Sequence, residues 1–217
     1  MNKTELFNFL ETRDCTILLD LLQVAYDEMN TTQRHMVFGE LIKKMPPSVV
    51  NGSTLFKEIV FFHQESLSGY YYAPFDINSK NFSHIPEETE EWFDRLSDLL
   101  QKSMLLTKQD EHPSAVKCFK ILYKLIEHME QGDEIIFAEE YGDWMIQGDQ
   151  KAFARAYLTS LAATTTPSDF TETAIPLIKN DISCVNKIYA SALAVANREQ
   201  KALLNKELQA RRIEIKL

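Results

Sequence analysis

The chain has 217 residues, 45% of them hydrophobic and 25% charged, with a formal net charge of −9. Such a composition excludes a disordered chain, and the scarcity of glycine (6) and proline (7) argues for long helices over a loop-rich β-protein. The charge is unevenly spread: residues 198–217 carry +3, through Arg198, Lys201, Lys206, Arg211, Arg212 and Lys216 against Glu199, Glu207 and Glu214, which leaves −12 on the first 197 residues. An acidic body repels phosphate backbones, so nucleic acid is excluded as a direct ligand and a basic protein suits the sign.

Taken in chain order, Thr16–Met29 places Ile17, Leu18, Leu21, Leu22, Val24 and Ala25 on a broad apolar helical stripe. Asn30-Thr-Thr-Gln33 has the spacing of a capping box and opens a helix that Pro46-Pro47 stops after about Lys44. Ser53 or Thr54 begins the next, with Leu55, Ile59, Val60, Phe61 and Phe62. From 66 to 86 helical signals fail, and turn formers alternate with Tyr70, Tyr71, Tyr72, Phe75 and Phe82. A connection this long is either a packed excursion or a functional loop, part of it able to pair as a short hairpin. Of three consecutive tyrosines, at least one must pack inward.

Helices resume over Glu87–Leu106 and Ser114–Gln131, the second closed by Gly132. Asp133–Ile146 reads as another, ending near Gly148. Asp149 caps one running to about Ala163, and Thr166-Pro167 starts a helix that Pro176 interrupts or kinks. The last, from Asp181 to Ile213, reads as the longest.

The pattern predicts an all-α fold, an antiparallel bundle or a solenoid-like array of helical hairpins with one long aromatic loop. It is drawn as a single domain over 1–217, divisible into N-terminal helices 1–65, the aromatic loop 66–86 and the array 87–217. Leu99, Ala115, Phe119 and Leu122 have the spacing of a tetratricopeptide second helix and its partner, and Ala154, Leu158 and Leu161 echo it. This segment resembles a tetratricopeptide hairpin, and the resemblance implies stacked helical hairpins.

Chemistry-bearing motifs are sparse. His63-Gln-Glu65 has the His-x-Glu pattern of zinc deaminases, without their Pro-Cys-x-x-Cys partner; Asp76 and His84 would be needed to complete a metal cluster around the loop. On a helix His63 and Glu65 diverge by about 200°. No phosphate-binding glycine loop or local nucleophile motif is present, so neither a catalytic set nor a metal or cofactor is assigned. Cys15, Cys118 and Cys184 fit neither a disulfide framework nor a Cys-x-x-Cys site and point to a reducing, cytoplasmic setting; Cys118 reads as core filler. The amino terminus lacks the apolar run of a signal peptide, and no apolar stretch approaches the roughly 20 residues of a membrane span.

Acid mixed with large aromatics is the remaining signal. Between Glu127 and Gln150 lie eight carboxylates and no lysine or arginine, interleaved with Phe137, Tyr141 and Trp144. A second cluster joins Glu87, Glu88, Glu90, Glu91, Asp94 and Asp98 to Trp92 and Phe93. Carboxylates steer a basic partner and rings anchor it, although the same pattern also makes a plain solvated face. The candidate partner-binding residues are Glu87, Glu88, Glu90, Glu91, Trp92, Glu139, Glu140, Tyr141, Asp143, Trp144, Tyr71 and Asp76. In character the chain resembles the immunity proteins that neutralise basic nuclease toxins, including those of contact-dependent growth inhibition. That resemblance implies an inhibitor that covers a nuclease active site with carboxylates in place of substrate phosphates. The alternatives are a helical-repeat scaffold that binds peptides and a metal-dependent enzyme centred on residues 63–84.

Overall fold

The computed structural model describes residues 2–30, 33–34, 36–38, 49–81, 84–137, 145–180 and 185–213. Among them the regular elements are helices and no strand forms. The chain divides into two compact units, Met1–Ser48 and Val49–Leu217, where the sequence reading drew one domain with an internal division at residue 65.

The first unit contains α1 (Lys3–Leu10) and α2 (Cys15–Asp27). Asn2 starts α1 by accepting a hydrogen bond from the Thr4 amide at 3.1 Å. After α2 the capping box forms: the Asn30 side chain accepts from the Gln33 amide and the Gln33 side chain from the Asn30 amide, both at 3.0 Å. Arg34 then folds back over the Tyr26 ring and donates to the Tyr26 carbonyl at 2.9 Å. The helix expected from Asn30 to about Lys44 falls largely outside the described residues.

The second unit holds α3 (Gly52–Leu67), α4 (Glu87–Lys108), α5 (His112–Glu130), α6 (Gln150–Thr164), α7 (Pro167–Asn180), α8 (Val185–Val195) and α9 (Arg198–Ala210). α5 packs on α3, α4 and α6; α6 also packs on α4, α7 and α8; α7 packs on α8 and α9. Each helix therefore meets neighbours one or two places along the chain, the order of a helical-hairpin array. The seam of the α4–α5 hairpin is Leu99, Ala115, Phe119 and Leu122, all 0% exposed. Burying each of the two leucines and the phenylalanine stabilises by about 1.5–3 kcal/mol.

Local chemistry explains where the helices start. Asn51, not Ser53 or Thr54, caps α3, its side chain accepting from the Thr54 amide at 3.0 Å. The next residue, Gly52, lies so close to α5 that an added Cβ would stand 2.5 Å from Glu111 Oε2 and 2.8 Å from Ser114. Gln109 pairs with the Val50 backbone like a strand, donating to its carbonyl and accepting from its amide, each at 2.9 Å. Asp149 caps α6 by accepting from the Lys151 and Ala152 amides, and Thr166 caps α7 at the Asp169 amide.

Two expectations fail and a third is narrowed. Residues 133–137 and 146–148 are turns and bends, so no helix spans 133–146. Gly132, at φ 83°, turns the chain out of α5, and burial of Ile135 and Ile136 then sets the path in place of helical periodicity. Of the two outcomes expected at Pro176, interruption or a kink, interruption does not occur, because α7 runs through it. The long last helix is two helices, because Asn197 and Gln200 form a second capping box that restarts the chain after Val195. Gln200 also donates to the Ala162 and Thr165 carbonyls, tying that restart to the end of α6.

The 66–86 loop forms no hairpin among its described residues. It opens with a turn that carries Tyr71 into the core at 0% exposure while Tyr70 stays 60% exposed. A second turn at Asn78–Asn81 is closed by the Asn81 side chain, which accepts from the Asn78 amide and donates to the Asp76 carbonyl. Among the described residues no helix is long and apolar enough to cross a membrane.

Candidate protein-binding face

At 100° per residue, Thr89, Trp92, Phe93, Leu96, Leu99, Leu100 and Ser103 of α4 turn to one side, and all are buried. Glu87, Glu90, Glu91, Asp94 and Asp98 turn to the other within an arc of about 100°, and these, with Glu88 beside them, are exposed. Carboxylates in a first turn stabilise a helix through its macrodipole, which accounts for Glu87, Glu88 and Glu90. Glu91, Asp94 and Asp98 lie beyond that turn, so the dipole does not account for them.

The nearby cations leave the first-turn carboxylates alone. Lys102 bridges Asp98 at 2.7 Å and Glu58 at 3.3 Å. Arg95 holds Glu65 and the Tyr71 hydroxyl, both at 2.6 Å, and lies over the Phe62 ring. Asp94 accepts from the Gln147 side chain. Among the described residues no ion pair neutralises Glu87, Glu88, Glu90 or Glu91.

Two of the expected ring anchors belong to the core. Trp92 is 0% exposed; its indole N–H donates to Ser66 Oγ at 2.9 Å and its ring packs on Phe62 and Phe93. Tyr71 is equally buried against Phe62, and burial raises its phenol above its ordinary range despite the Arg95 hydrogen bond. Neither can anchor a partner from the surface. Asp76 is exposed in the loop. Glu139, Glu140, Tyr141, Asp143 and Trp144 lie outside the described residues.

Other rings take the surface position. Phe137 meets Phe75 at 5.1 Å and Tyr72 at 6.1 Å between centroids, and Phe75 meets His84 at 5.2 Å. Tyr72, Phe75 and Phe137 are half-buried. Thr89 Oγ1 donates to the Phe137 carbonyl at 3.0 Å, which sets this cluster beside the first turn of α4. Sequence reading pairs the acidic stretch with its own neighbours in the chain; the contact from Thr89 to Phe137 spans 48 residues and has no local signature.

The 63–84 metal set does not converge. Glu65 is paired with Arg95, the His84 ring lies on Phe75, and His63 lies near Lys124 and His128. Among the described residues no three His, Cys, Asp or Glu side chains are grouped to hold an ion. A serine–histidine–aspartate set does assemble at the α4–α5 turn: His112 Nδ1 is 3.2 Å from Ser160 Oγ, and Nε2 is 3.6 Å from Asp110. Its geometry does not suit nucleophilic attack. Ser160 is 0% exposed and shares its hydroxyl with Thr107 at 2.9 Å, while Asp110 is 92% exposed at its side chain and too distant to orient the ring. Thr107, His112 and Ser160 form a polar tie between that turn and α6. Cys118, 0% exposed with its thiol pushed up to about 11 by burial, is equally unsuited to attack.

Compared with protein-family models, curated proteins and solved structures, the chain matches none.

Proposed function

We propose that the chain is a non-enzymatic binding protein, an inhibitor of the immunity type, that receives a basic protein domain on the acidic and aromatic face at the start of α4. The observation that carries this reading is the Thr89–Phe137 hydrogen bond, which joins four carboxylates without ion-pair partners among the described residues to a half-buried ring cluster. Carboxylates on a rigid helix steer a cationic partner before contact, and half-buried rings give it area to close on. A nuclease toxin domain fits this chemistry, because its active site already selects for closely spaced negative charge. The array order of the helices favours a second reading, a peptide-binding scaffold, which would keep its ligands at high salt.

The test is capture of partners from the source lysate by the tagged chain at low and high salt, followed by association kinetics with the partner found. Glu87→Lys/Glu91→Lys should slow association about tenfold and flatten its salt dependence, and Phe75→Ala should speed dissociation. A partner whose kinetics ignore all three substitutions would remove this face from the function.

A further inference from the structure

None of the α4 carboxylates lines a cleft of about 330 Å³ in the second unit, walled by α5, α6 and α7. Its floor is apolar, from Leu100, Ile146, Phe153 and Ile188. One wall is a ring stack: Tyr157 lies 5.3 Å from Phe119 and 5.4 Å from Tyr123, the two tyrosines within 14° of parallel. This size falls in the range of roughly 300–1,000 Å³ typical of small-molecule sites, which combine apolar linings with a few convergent polar groups.

The polar groups on the Lys120 side are donors. Tyr123 and Tyr157 both line the cleft, Tyr157 at 2% exposure and Tyr123 half-buried. Both phenols are held protonated well above their ordinary range by burial, Tyr157 at about 12, so each remains a donor at neutral pH. Lys120 and Lys124 stand one helical turn apart on the same edge, exposed, with no ion pair to a described carboxylate. Like charges so placed on a helix repel, and an anion between them relieves the repulsion. Burial first, then Lys124, hold the pKa of nearby His63 below its ordinary value. Glu127 and Glu130 border the other end of the same edge, and they exclude a ligand charged negatively at both ends.

We propose that this cleft binds a small organic acid with an apolar, ring-sized body, its carboxylate held between the Tyr123 and Tyr157 hydroxyls and the Lys120 and Lys124 ammonium groups. The proposal stands independently of the α4 face: a partner can dock there whether or not the cleft is filled.

The probe is 2-naphthoate, compared with neutral 2-naphthamide, titrated into the full chain by calorimetry and ligand-observed NMR. Saturable binding of the acid, at least about tenfold tighter than the amide, is expected, in line with one charge-assisted contact. Lys120→Gln/Lys124→Gln, at exposed positions that leave folding intact, should remove most of that preference. Tyr123→Phe/Tyr157→Phe should weaken the acid more than the amide. Thr173→Trp, which fills the α7 wall, should abolish binding of both; should that variant fail to fold, the lysine and tyrosine pairs decide. Absence of saturable binding by the unaltered chain, equal affinity for acid and amide, or binding indifferent to the lysine pair would each overturn the proposal.

Discussion

The two units obey the same helical rules with opposite results. In the second unit, periodic apolar residues become a core: Trp92, Phe93, Leu96, Phe119, Leu158 and Phe170 are at most 1% exposed. In the first, α1 and α2 have no buried residue, and Ile17, Leu19, Leu21, Leu22 and Val24 are 44–61% exposed. Amphipathic spacing thus makes a helix in both units, but burial depends on what faces the stripe. The α4 helix has partners on α3, α5 and α6 and converts its spacing into core.

The largest test of this contrast is truncation. Phe119→Ala should cost about 3–5 kcal/mol in urea denaturation, because the ring is fully enclosed and leaves a cavity. Leu21→Ala in α2 should change stability by no more than about 0.5 kcal/mol. Comparable losses at the two sites would show that the first unit's stripe is covered in solution.

A finer test uses one motif that occurs in both units. Asn197→Ala breaks the capping box of α9, which is tied to α6 through Gln200, and should lower global stability by about 1 kcal/mol. Asn30→Ala breaks the same motif in the first unit and should reduce helical circular dichroism without moving the main transition. A shared shift of that transition would mean that the two units unfold together.

The smallest effect is expected from pH, through His63 of α3. Burial first, then Lys124 and His128, hold its pKa below its ordinary 6.5. The unfolded chain therefore binds a proton that the folded chain resists, and stability falls as pH drops below about 6.5. His63→Gln should shrink the loss of thermal midpoint between pH 7.5 and 5.5. An unchanged loss would assign the pH dependence to other groups.

Much of the second unit was legible because helix starts are local chemistry. Asp149, Thr166 and the glycine after α5 can each be read within a few residues of the helix end they govern. The Asn197–Gln200 box was equally legible, having the spacing already read at Asn30–Gln33, yet the continuous apolar period around it concealed the break. The candidate face was half legible. The carboxylates of α4 could be placed on one side from their spacing, but Trp92 looked like an anchor because an aromatic among acids gives no hint of which way it turns.

By itself the sequence determined the all-helical class, the principal caps and the acidic outer stripe of α4, since each depends on interactions within about four residues. The tertiary structure alone decided that Tyr71 and Trp92 are core, that Tyr72, Phe75 and Phe137 flank the acidic turn, and that two tyrosines 34 positions apart wall a cleft with Lys120 and Lys124. Those outcomes depend on which helix faces which, and periodicity along one helix carries no information about its neighbour.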